Sequence, residues 1–249
     1  LERVAGPPSE PIPAPTGAEP PMVPEEAPEP EHAIEICLLG GFTLAVNGTR
    51  IPDAKLTQRN VKAVLSMLAA APGHKMPRVR LIEALWPGID FITGMNRIYQ
   101  TATRTRNLVR KIDPSYDPIV LVRGEGSISL RGTEVRCDVD AFAYAAQEAM
   151  VFEGNDQKVV EAVQRLGDIY LGELYVAPQD TSGMMRDRLR ETRRIYADVM
   201  VLGSEAALRL GRRRQAAHFA AAAETADGSR EDVVCALIRA LKASGRFDE

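Results

Sequence analysis

Three dipeptides, Asn47-Gly48, Pro72-Gly73 and Pro87-Gly88, joined further on by Asp113-Pro114, punctuate the middle of this 249-residue chain. Proline fixes φ and lacks an amide donor, whereas glycine accepts positive φ, so neither sits comfortably inside a regular element. Each pair marks an end, and the elements between them must be short. Before the first, Ile34-Glu35-Ile36-Cys37-Leu38 and Phe42-Thr43-Leu44-Ala45-Val46 read as strands around Gly40-Gly41. Asn47-Gly48 suits a two-residue turn with φ > 0 at both central positions, so Thr49-Arg50-Ile51 returns as a short third strand. The chain then switches to helix. Thr57 stands as a cap, and Val61, Val64, Leu65 and Leu68 follow at helical spacing until Pro72-Gly73. Pro77 opens a second short helix carrying Leu81, Ile82, Leu85 and Trp86. Its lone tryptophan reads as a core anchor. A third helix is expected from Thr93 or Gly94 to about Ile112. Last comes a hairpin, Ile119–Arg123 and Ser127–Leu130, with Gly124-Glu125-Gly126 at its tip.

Sheet, three helices and hairpin, in that order, describe a winged helix-turn-helix with an extra N-terminal sheet over residues 34–136. Its flanks differ from it. Residues 1–33 hold ten of the 17 prolines and seven acidic side chains against one basic. Such a stretch cannot bury a core and reads as a disordered Pro/Glu-rich linker, with a proline-rich peptide ligand as the alternative. Residues 137–249 read as helical throughout, with candidates at 139–152, 156–169, 182–210, 213–226 and 230–243. Leu210-Gly211-Arg212 recurs as Ser244-Gly245-Arg246, and the two glycines stand 34 residues apart, the tetratricopeptide period. Ala206, Ala207, Ala217 and Ala221 would let paired helices approach closely, and an unrelated helical bundle is the alternative. The expected fold is therefore mainly α with a small β component, a winged helix followed by a tetratricopeptide-like domain. That domain reads as incomplete at its C-terminus. The chain begins without Met or a signal-peptide pattern and reads as part of something longer.

Charge separates the segments further. Residues 34–136 hold 15 basic and eight acidic side chains, while residues 137–249 hold 15 and 19. A basic middle between acidic ends is the asymmetry expected where one segment meets a polyanion. Cys37, Cys137 and Cys235 lie far apart, and His32, His74 and His218 do not cluster near them, so neither a metal nor a disulfide framework is expected. No apolar run is long enough to span a membrane, and a cytoplasmic location with no cofactor is expected. The chain lacks a GxxxxGK[ST] phosphate loop, an HExxH pair and a GxSxG elbow, so no enzymatic activity is expected. Its carboxylates read as helix-surface partners, as Glu161 with Arg165.

On a helical wheel, the third helix turns Ile98, Ala102, Thr105, Leu108, Val109 and Ile112 toward the core. Asn96, Gln100, Thr103, Arg104, Asn107, Arg110 and Lys111 face the other way, and no acidic residue stands between Gly94 and Ile112. A merely solvated face mixes signs. A face meant for the major groove avoids carboxylates, offering Arg to guanine, Asn or Gln to adenine, and Thr to phosphate or the thymine methyl. These seven residues are the candidate DNA-reading set. Arg123 at the hairpin tip suits a wing entering the minor groove, with an ordinary exposed turn as the alternative. Thr93 and Arg59 are candidates for the phosphate backbone, with solvated surface as the alternative.

Leu38-Leu39-Gly40-Gly41-Phe42, Leu81-Ile82-Glu83-Ala84-Leu85-Trp86-Pro87 and the helix bearing Arg104-Thr105-Arg106 resemble the OmpR-like winged helix of the Streptomyces antibiotic regulatory protein (SARP) family. Asp138-Val139-Asp140-Ala141-Phe142 and Tyr170-Leu171-Gly172-Glu173-Leu174 resemble that family's bacterial transcriptional activator domain (BTAD), expected here over 137–249. The resemblance implies a bacterial regulator, an activator of transcription, that binds directly repeated promoter sites in double-stranded DNA. Such proteins often bind as a side-by-side pair and help recruit RNA polymerase. Their tetratricopeptide-like domain serves protein contacts. Homodimerisation through DNA-side or helical-domain contacts is an expectation of the same kind. A protein-interaction scaffold whose winged helix does not bind DNA is the competing reading.

Overall fold

In the computed structural model the described residues are 33–121, 126–131 and 134–245. The expected linker, apart from Ala33, and the wing-tip residues Arg123 and Glu125 lie outside them. Alternating burial builds the first sheet. Strand β1 (Ala33–Cys37) pairs antiparallel with β2 (Thr43–Val46), which pairs with β3 (Thr49–Arg50) across Asn47-Gly48, at φ 47° and 74°. Ile34, Ile36, Leu44 and Val46 all turn inward from this hairpin and are fully buried.

Helix α1 (Arg59–Ala69) starts after Gln58, not at the expected cap Thr57, and buries Val61, Val64, Leu65 and Leu68. Helix α2 (Arg78–Leu85) follows β4 (Lys75–Pro77), and α3 (Phe91–Val109) ends before Asp113-Pro114. The hairpin sets β5 (Ile119–Val120) against β6 (Ser127–Leu130), which in turn pairs with β4; Val122 and Arg123 of the expected strand lie outside the described residues. Strand β4 carries one buried apolar residue, Met76, too little for periodicity to reveal. A further strand, β7 (Glu134–Cys137), was also hidden by its shortness; it runs parallel to β1 and closes the first sheet in the order β3-β2-β1-β7.

Five helices complete the fold: α4 (Asp138–Val151), α5 (Asp156–Ile169), α6 (Met184–Arg209), α7 (Arg213–Asp227) and α8 (Glu231–Ser244). Gly211 and Gly245 follow α6 and α8 with φ of 71° and 76°, a left-handed helix exit that explains their 34-residue recurrence. The α6–α7 contact uses Ala206, Ala207, Ala216 and Ala220, all fully buried, and Ser204 Oγ donates to the Ala216 carbonyl at 3.0 Å. Ala221, expected in that contact, is exposed, and Ala217 is half-buried: the stripe lies one residue earlier on α7. Gly203 meets α5 so closely that an added Cβ would stand 2.6 Å from Val163 Cγ1. Arg165 does not pair with Glu161 as expected. It reaches across to Glu148 on α4 at 2.8 Å, and Glu161 accepts from Gln157.

A polar seam joins the two halves, which belong to one compact unit. The Asp138 carboxylate, at the start of α4, accepts from the backbone N–H of Leu38 at 2.8 Å and of Leu39 at 2.7 Å. Tyr175 N–H donates to the Leu38 carbonyl at 2.7 Å and Gly40 N–H to the Glu173 carbonyl at 3.0 Å. Here glycine is required twice: a Cβ on Gly172 would stand 3.0 Å from Gly40 Cα, and one on Gly40 would stand 3.1 Å from the Leu171 backbone. The Thr181 N–H and hydroxyl both donate to the Ala84 carbonyl, at 2.9 and 2.8 Å. Gly40-Gly41 and Leu171-Gly172-Glu173 are thus two sides of one joint.

Candidate nucleic-acid interface

Helix α3 owes its position to close contact with α2. Gly94 is where the two touch: an added Cβ would stand 2.5 Å from Ile82 Cγ2, and Ile82 is buried. Gly94 therefore does not start the helix, as expected, but sits inside its first turns because only a bare Cα fits. The start lies three residues earlier. Asp90 caps it, accepting the Thr93 N–H at 2.9 Å and the Thr93 hydroxyl at 2.6 Å. Those bonds to Thr93 hold the Asp90 carboxyl below its ordinary value. The hydroxyl of Thr93, a candidate phosphate contact, is engaged in this cap.

The inward face follows the helical wheel. Met95, Ile98, Thr101, Ala102, Thr105 and Val109 are buried, and Leu108 and Ile112 are half-buried against the core. Thr105 is fully buried without an orphaned hydroxyl, because its Oγ1 donates back to the Thr101 carbonyl at 3.0 Å.

Five candidates, Asn96, Gln100, Thr103, Arg104 and Asn107, lie on the outward face of α3. The helix ends at Val109, short of the expected Ile112, so Arg110 and Lys111 stand in the turn that follows, and all seven are exposed. Thr103 Oγ1 donates to its own helix at the Tyr99 carbonyl, which leaves its methyl and lone pairs outward. The other six side chains show no hydrogen-bond or ion-pair partner among the described residues. Three cations, three amides and one hydroxyl on an acid-free stripe can satisfy phosphate oxygens and base edges together. Arg59, the first residue of α1, is also exposed.

Four residues beside the stripe were not singled out from the sequence. Arg97 is exposed, and its guanidinium lies 5.7 Å from the centre of the buried Trp86 ring. Ile92 and Tyr99 are also exposed, at 72% and 49%, as is Phe91 at the start of the helix. Nothing in periodicity flags an exposed apolar residue at a helix start.

Among the described residues, no group of His, Cys, Asp and Glu could hold a metal ion, and no helix is long and apolar enough to cross a membrane.

Residues 137–249 match the family model of the bacterial transcriptional activator domain. The fold is similar to that of Mycobacterium tuberculosis EmbR, solved in complex with a low-affinity phosphopeptide, with a TM-score of 0.64 and 18% identity. That match covers 87% of this chain and 56% of the EmbR chain, so this chain spans little more than half of that protein. No curated protein matches in sequence.

Proposed function

We propose that this chain, whose residues 137–249 match the bacterial transcriptional activator domain, is a SARP-type transcription regulator that reads double-stranded DNA through α3. In this reading the protein is a cytoplasmic activator at directly repeated promoter sites, and its helical half makes protein contacts, RNA polymerase and a second copy being the partners proposed. It acts by binding and not by catalysis. One observation carries the reading: seven amide, hydroxyl and cationic side chains stand exposed along α3 and the turn that follows it, with no carboxylate among them. A protein-binding surface tolerates carboxylates and favours aromatics. A groove-reading helix excludes the first because phosphates repel them. Arg104 and Asn107 supply the bidentate donors and acceptors that distinguish guanine and adenine. Arg110 and Lys111, in the turn just after the helix, serve the backbone.

Exposed Phe91, Ile92 and Tyr99 favour a second reading, a protein-interaction scaffold. In vitro selection of bound duplexes at moderate salt separates the two. Enrichment of a repeated motif, with a spacing near one helical turn, supports the regulator. A pool that stays random, with the protein folded, leaves the scaffold.

A further inference from the structure

Arg106 differs from the other cations of α3. Its side chain is only 27% exposed, and its Nε donates to Asp117 Oδ2 at 2.5 Å. The other oxygen of Asp117 accepts the backbone N–H of Ile119, the first residue of β5, at 3.2 Å. One carboxylate thus ties the flank of α3 to the root of the wing. The tie continues: β5 pairs with β6, and the Ser127 carbonyl of β6 accepts from buried Arg78 at the start of α2 at 2.8 Å. Between the two anchors Asp113 accepts from Ser115 and from Asn47 of the first hairpin, at 2.7 and 3.0 Å, while buried Tyr116 donates to the Arg131 carbonyl. Arg104, two positions earlier, is exposed and makes none of these bonds.

Resting on the DNA-binding reading above, we propose that Asp117, acting through Arg106, is a positioning residue that holds the wing at a set angle to α3. Arg106 then serves sequence recognition without itself touching DNA. An acidic group beside a DNA-facing helix repels phosphate, so simple Coulomb reasoning gives Asp117 an unfavourable role. A charge-assisted bond in a fixed fork geometry gives it a favourable one, because a wing that swings freely no longer enters the groove in register with α3.

The two roles predict opposite signs. Fluorescence anisotropy of the full chain would be measured on a selected duplex and on a random duplex across a salt series, with thermal unfolding as a check on folding. The positioning role predicts that Asp117→Asn and Arg106→Lys each weaken binding to the selected duplex about tenfold, the scale of one mismatched base pair. Binding to random duplex and the salt slope stay as in the wild type, and the double variant is no worse than either single one. Tighter binding by Asp117→Asn, or full binding by Arg106→Lys with a slope reduced by about one in Arg106→Gln, would make Arg106 a phosphate contact and overturn the proposal. Should the wild-type chain bind no duplex at all, the DNA-binding reading fails and this role goes with it.

Discussion

Replacing Asp138 with alanine should loosen the joint between the two halves more than any other single change at the seam. Its carboxylate is the acceptor for the N–H groups of Leu38 and Leu39, residues that are 0% and 2% exposed. Alanine leaves both donors without an acceptor at a part-buried site. Each orphaned buried donor costs roughly 1–3 kcal/mol, so about 2–4 kcal/mol is expected once partial hydration is allowed for. Asn is the informative contrast. Burial raises the Asp138 carboxyl above its ordinary value, against the opposing pull of those N–H groups, so the anion itself sits at a disadvantage. Asn keeps an acceptor and sheds the charge, so Asp138→Asn should lose less than about 1 kcal/mol. The raised carboxyl also sets a sign: this group's contribution is fully present below its unfolded value and lost as pH rises through the folded one. Wild type should therefore lose stability relative to Asp138→Asn as pH climbs through that window. Urea unfolding at several pH values reads all three quantities. Alanine and asparagine variants of equal stability would refute the orphaned-donor argument.

Gly94→Ala places a Cβ 2.5 Å from buried Ile82; overpacking of about 1–3 kcal/mol outweighs the roughly 1 kcal/mol gained in helix propensity, and calorimetry should show a lowered Tm. Arg104→Ala should weaken binding to a selected duplex by about 1–3 kcal/mol and relax one base preference, read by competition with substituted duplexes. Lys111→Ala should weaken every duplex alike and reduce the salt slope by about one. Thiol labelling of the native chain should modify exposed Cys235 first; Cys137, buried with its thiol pushed up to about 12 by desolvation, should stay silent until the protein unfolds.

Elements with a long apolar period were readable from the residues. The core face of α3 follows from Ile98, Ala102, Thr105 and Val109, and α5 spans 156–169 as its spacing indicates. What escaped is physical in kind. Strands β4 and β7 are three and four residues long, and their stability comes from partners distant in sequence, β6 and β1. Gly94 looked like a helix start because glycine is a poor helix former; it is inside the helix because Ile82 leaves no room for a side chain. Arg104 and Arg106 are indistinguishable as letters, and only Asp117 separates an exposed guanidinium from a paired one. Long-range pairing of this sort leaves no local signature in a single chain.

Salt dependence of duplex binding tests the exposed face of α3 most directly. Between low and moderate salt, log Kd for a selected duplex should rise linearly with log salt concentration, with a slope of several units as neutralised phosphates release counterions. Replacing Arg104, Arg110 and Lys111 together should flatten that slope by about two, one for each of the backbone cations Arg110 and Lys111. A folded chain that binds no duplex at low salt, or a slope indifferent to all three substitutions, would contradict the account.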